Sequence, residues 1–85
     1  MSEVVLNNNR AVAIRRKRGS TVTFRNQSGA SIFVDSDPQR LNAAAVGTNP
    51  AGTEILNATS LQISDYPGLY YARGINVNQA LEVQP

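Results

Sequence analysis

Four consecutive cations, Arg15, Arg16, Lys17 and Arg18, form the densest chemistry-bearing feature of the chain. Such a run can grip an acidic protein surface or a phosphate backbone, because both present closely spaced negative charge. Asp35 and Asp37, two residues apart, could offer oxygen ligands to Ca²⁺, and Tyr66, Tyr70 and Tyr71 could anchor an interface or stack on bases. Serines and threonines are the remaining nucleophile candidates. The chain has no histidine and no cysteine to activate one, and its only lysine, Lys17, lies inside the cationic run and outside any Ser-x-x-Lys arrangement.

These absences set the expected function class. Without cysteine or histidine there is no disulfide, no zinc–thiolate site and no ordinary general base. Six scattered acids in an 85-residue chain leave little room for a cleft with paired carboxylates, so the chain reads as a non-enzyme with no cofactor, no metal and no small-molecule substrate. An EF-hand loop would need more oxygen ligands after Asp37 and a closing glutamate, yet Pro38 and Arg40 stand there, so Asp35 and Asp37 read as an Asx-type turn. No apolar run approaches the roughly 18–20 residues of a membrane helix, and residues 1–9 lack the pattern of a secretion signal. Assembly in a reducing cytoplasm is expected, with the triplets at Asn26 and Asn57 as chance matches to a glycosylation pattern.

The formal net charge is +2, and removing the four clustered cations leaves the other 81 residues at −2, so the positive charge is local. Nine Asn, five Gln, seven Ser and five Thr supply most of the remaining polarity, a mix that suits faces packed against other protein.

The elements that must position these residues show a period of two. Val22 and Phe24 share one face of a strand over 20–27, the turn chemistry of Asn26, Gln27, Ser28 and Gly29 follows, and 31–35 reads as the returning strand of a hairpin. Residues 36–52, with Asp37-Pro38 and Asn49-Pro50, read as a long loop with room for one helical turn or a short strand around 41–46, and no other helix is expected. Strands resume at 53–56 and 60–63, where Leu61 and Ile63 share a face. A type II turn at Tyr66, Pro67 and Gly68 then leads to strands at 69–73 and 76–83, separated by Gly74. Two more strands, at 3–6 and 10–17, flank a turn at Asn7, Asn8 and Asn9. The expected fold is all-β, a single domain over 1–85 built as a small antiparallel β-sandwich or flattened barrel of seven or eight short strands.

On a strand, Arg15 and Lys17 would face one way and Arg16 and Arg18 the other, burying two cations. The run is therefore expected to project as a strand end or turn leading into Gly19 and Ser20. Tyr70 and Tyr71, being adjacent, should point to opposite faces, while Tyr66 either anchors an interface or covers the turn at Pro67 and Gly68. A stacking platform for single-stranded nucleic acid needs aromatics interleaved with cations, and only Arg73 accompanies these tyrosines.

The order of segments over residues 20–85 resembles small β-sandwich virion proteins of tailed bacteriophages. The residues that carry it are Val22 to Ser28 followed by Ile32, Phe33 and Val34, then a variable loop. Leu61-Gln62-Ile63, a turn ending in Gly68, Leu69-Tyr70-Tyr71-Ala72 and the alternating Ala80-Leu81-Glu82-Val83 complete it. The resemblance implies a structural role in the virion, as a capsid decoration (cement) protein on the major capsid protein lattice or as a tail or neck component. It implies no catalytic residue, and the cationic run has no part in it. The expected contacts are Arg15, Arg16, Lys17, Arg18, Tyr66, Tyr70 and Tyr71, with a homo-oligomer, a trimer among the options, and the capsid surface as location. A small basic nucleic-acid-binding β-barrel is the alternative, and an inhibitor of a host factor is a third reading.

Overall fold

In the computed structural model, which describes residues 2–85, eight strands and one short helix follow the chain. They are β1 (Ser2–Val5), β2 (Val12–Arg15), β3 (Val22–Asn26), β4 (Ile32–Asp35), α1 (Pro38–Asn42), β5 (Thr53–Ile55), β6 (Thr59–Ile63), β7 (Leu69–Gly74) and β8 (Ala80–Gln84). The first sheet has the order β1-β8-β3-β6, the second β2-β7-β4-β5, and every pairing is antiparallel. The all-β sandwich expected from the alternation is therefore present, with eight strands.

The connections differ from the expected hairpin. β3 and β4 lie in different sheets, and among the described residues β4–β5 is the only sequential pair of strands that also pairs in space. Every other connection passes from one sheet to the other. At residues 27–31 a polar bridge holds this crossing. The buried Asn26 amide donates to the carbonyls of Ala30 and of Ile55, at 2.8 Å each, while its oxygen accepts from the Ser28 backbone N–H at 3.0 Å and hydroxyl at 2.7 Å. Ile55 belongs to the opposite sheet, so Asn26 ties the two layers together at this end.

Between the sheets, Ile14, Val22, Phe24, Ile32, Val34, Ile55, Ala72, Leu81 and Val83 form one core with Leu6 and Tyr66. Alternation explains the membership, since along β3 the buried Val22, Phe24 and Asn26 bracket Thr23 and Arg25. Leu61 and Ile63 share the inner face of β6 as expected, but they stay half-buried at the sheet edge.

A third layer covers the second sheet from outside. The 36–52 segment contains α1, where only loop or one turn around 41–46 was expected. Asp37 caps it by accepting from the Gln39 N–H at 2.9 Å, and Pro38 sits in the first turn, where a missing N–H costs nothing. The Asx turn read from the sequence feeds it, with the Asp37 N–H donating to Asp35 Oδ1 at 2.8 Å. α1 packs on β4 and β7, burying Leu41 and Phe33 outside the main core.

Beneath this layer lies Arg73, buried on β7. Its guanidinium donates to the carbonyls of Leu41 (2.6 Å) and Ala44 (2.7 Å) at the C-terminal end of α1, and to Asn8 (2.9 and 3.3 Å) in the β1–β2 connection. The last strand begins at Ala80, later than the expected residue 76. Gln79 is buried in the preceding connection, where its oxygen accepts from the N–H groups of Ile75 and Asn76 and its amide donates to Ser28 Oγ, Ala30 O and Ser31 O. Asn26 and Gln79 thus close one end of the sandwich with a satisfied polar network.

Candidate functional site

The opposite end carries the cationic run. β2 stops at Arg15, and Arg16, Lys17, Arg18 and Gly19 turn the chain toward β3, so the run projects beyond the strand as expected. The turn is pinned at several points. Arg16 N–H donates to Gly68 O (3.2 Å), Gly19 N–H to Tyr66 O (2.7 Å) and Tyr66 N–H to Ser20 O (2.8 Å), while both the N–H and hydroxyl of Ser20 donate to Lys17 O (3.2 and 2.6 Å). Gly19 and Gly68 adopt φ of +85° and +91°, where a side chain would be strained, so glycine is what allows these two connections to lock together.

Arg15, Lys17 and Arg18 are exposed. Arg16 is half-buried and donates to Arg15 O and to Ser2 Oγ, both at 2.6 Å, so its guanidinium fastens the turn to the body. Among the described residues the ion pairs are Arg40 with Asp35 (3.0 Å) and Arg25 with Glu82 (3.7 Å), and neither involves the run. The backbone of the run is thus fixed in place, and among the described residues its cations make no ion pair, with the Asp65 carboxylate standing beside Gly19 as the nearby acid of the turn.

The tyrosines separate. Tyr66 is fully buried and donates its hydroxyl to Ile14 O at 2.8 Å, so it cannot be the interface anchor that its position suggested. Burial pushes its phenol up to about 12, against the opposing field of Arg16. Tyr70 points inward, with ring centroids 6.2 Å from Phe24 and 5.9 Å from Tyr66, so it belongs to an aromatic cluster that seals this end of the core. Tyr71 takes the outer face, opposite Ala13 on β2 and Asp35 on β4, and is diagonal to Arg15, which pairs with Leu69. Of the expected contact residues, Arg15, Lys17 and Arg18 lie exposed on the pinned turn with Arg16 as its support, and the half-buried Tyr71 stands on the adjoining outer face, diagonal to Arg15.

Other surface features hold less chemistry. A concavity of about 280 Å³ is lined by Val5, Leu6, Asn7, Asn8, Val77 and Asn78, with no titratable side chain. Val5 and Val77 beside it are largely exposed, and alternation alone could not have flagged Val77, which lies in a connection read as strand. Among the described residues no group of three or more His, Cys, Asp or Glu stands together to hold a metal ion, and no helix is long and apolar enough to cross a membrane. Compared with protein-family models, curated proteins and solved structures, the chain matches none.

Proposed function

We propose that this protein is a non-enzymatic structural component of a phage particle, a decoration protein that docks on the major capsid protein lattice through the corner formed by Arg15, Lys17, Arg18 and Tyr71. The observation that carries the proposal is the pinned turn, whose exposed cations find no ion-pair partner among the described residues. Holding like charges together in a rigid turn is unfavourable in an isolated molecule, and an acidic partner surface relieves it. Pre-organisation by the Gly68, Tyr66 and Ser20 contacts lowers the ordering entropy that binding must overcome.

Two further points support a docking role. The described surface totals 4786 Å², so a standard patch of about 800 Å² per partner would cover about a sixth of it and stabilise a small core by mass action. The segment order over 20–85 that resembles phage virion proteins supplies the choice of a capsid lattice. A stacking platform for nucleic acid is disfavoured, because Tyr66 is buried, Tyr70 is turned into the core, and Phe33, the aromatic that shares the outer face with Tyr71, is buried against α1.

The test is to mix purified protein with undecorated capsid shells and image the particles. Decoration at symmetric lattice positions, with many copies per particle, is expected. Density confined to a tail or neck vertex would assign it to that location instead, and no bound density would overturn the structural role.

A further inference from the structure

The four sheet edges are β1 and β6 in the first sheet and β2 and β5 in the second. Each edge presents unpaired backbone N–H and C=O groups, and proteins that stay apart usually blunt them with charge, proline, a bulge or short length. Three of the edges follow this practice. β1 carries Glu3 opposite Glu82, β2 ends in Arg15 and the cationic turn, and β5 is three residues long with Glu54 at its centre. From Ser60 to Ile63, β6 has none of these devices, and the one irregularity lies at its start, where the N–H of the positive-φ Ala58 donates to Asn26 O and the Thr59 N–H to Leu56 O. Its sequence Thr59-Ser60-Leu61-Gln62-Ile63 is uncharged, without proline or glycine, and pairs with β3 in unbroken one-to-one register.

We propose that β6 is a homodimer edge, where a second copy of this chain adds its own β6 antiparallel about a two-fold axis centred on Leu61. The occupant follows from the residues themselves. Centring on Leu61 sets Leu61 against Leu61 and Ile63 against Thr59 of the second copy on the inner face. Leu61 and Ile63 point toward the core yet remain half-buried because nothing lies beyond the edge, and the second copy covers them. On the outer face Ser60 meets Gln62 of the second copy, a hydroxyl opposite an amide, with no charge in either row.

Charge also selects the orientation. Ile63 pairs with Val22, so the Ile63 end of β6 lies at the end of the sandwich that carries the cationic turn. Antiparallel pairing therefore places the two cationic turns at opposite ends of the joined sheet, whereas parallel pairing would set them side by side. The two-fold makes the contact isologous and closed, so it stops at two copies. Five residues per copy give an interface well below the roughly 1,200 Å² of stable complexes, so the dimer is weak and forms in about the submillimolar to millimolar range. This inference does not rest on the capsid reading.

An NMR concentration series with isotope-filtered NOEs on the full chain, combined with sedimentation equilibrium, tests it. The expected result is a dimer whose shift changes map to 59–63, with NOEs between Leu61 side chains of the two copies. Two surface variants sharpen the test, since Ser60 and Gln62 are both exposed. S60K/Q62K sets lysines opposite each other and should weaken the dimer at least tenfold. S60K/Q62E sets Lys against Glu twice and should restore or strengthen it. A protein that stays monomeric to about 2 mM, a dimer whose shifts map away from β6, or equal self-association of the two variants would each overturn the proposal.

Discussion

Replacing Arg73 by methionine keeps most of the side chain's length and apolar stem but removes every donor. Four hydrogen bonds to three main-chain carbonyls are lost, two at the end of α1 and one in the β1–β2 connection. Hydrogen bonds from a charged donor contribute about 1.5–3 kcal/mol each, and a carbonyl left buried without a donor costs about 1–3 kcal/mol. The losses do not simply add, because the 36–52 segment can lift and let water reach Leu41 O and Ala44 O. The net loss should be about 2–4 kcal/mol, because the carbonyls lose a charged donor while the cost of burying the guanidinium is removed with it. A chain of 85 residues has about 4–13 kcal/mol of total stability, so the variant should lose a large share of it. Urea denaturation measures the loss, and amide hydrogen exchange locates it, with residues 38–46 exchanging fastest. Arg73→Lys should lose less, since one ammonium can still reach carbonyls on one side of the site. If Arg73→Met shifted stability by under about 0.5 kcal/mol with unchanged exchange at 38–46, the view that this guanidinium fastens the outer layer would be refuted.

The raised phenol of Tyr66 makes stability pH-dependent in a defined window. Its folded pKa of about 12 lies above the ordinary value of 10.0, so the folded state holds its proton longer than the unfolded chain. Stability is therefore full below pH 10 and falls as pH rises toward 12, by about 2–3 kcal/mol in total. Denaturation of wild type and Tyr66→Phe at pH 8, 10 and 12 checks this. The variant should lose about 1–2 kcal/mol at pH 8 for the missing bond to Ile14 O and show a shallower decline between pH 10 and 12. Gly52→Ala should cost about 1–3 kcal/mol in urea denaturation, because a Cβ there would stand 2.8 Å from Val34 O and 3.0 Å from Leu41 Cδ2, one of them rigid backbone.

Alternation made the strands legible, since Val22 with Phe24 and Leu81 with Val83 could only share a buried face. It could not say which sheet each strand joins. The signal at Asn26 to Gly29 marks a reversal of the chain, and a hairpin and an arch between sheets use the same turn residues; only the buried Asn26 amide reaching Ile55 O decides for the arch. Arg73 in a strand reads as a solvent-facing cation, and its burial depends on α1 folding back over the sheet from more than thirty residues away. Tyr66 misled for a related reason: beside Pro67 and Gly68 it looks like a surface turn residue, yet the connection crosses between sheets and carries its ring inward. The projection of the cationic run was legible because two cations facing the core would have been intolerable. That Arg16 separates from its neighbours, bonding to Ser2 and Arg15, needed the folded backbone.

The exposed cations of this turn are proposed to serve a protein lattice. The most direct measurement is the affinity of wild type and R15A/K17A/R18A protein for undecorated capsid shells across a salt series, with Arg16 retained to hold the turn. Salt-sensitive binding by wild type is expected, with at least tenfold weaker binding by the variant at a denaturation midpoint no lower than that of wild type. Equal binding by both proteins would contradict it. So would indifference to shells accompanied by binding to duplex DNA with a log–log salt slope of about −3.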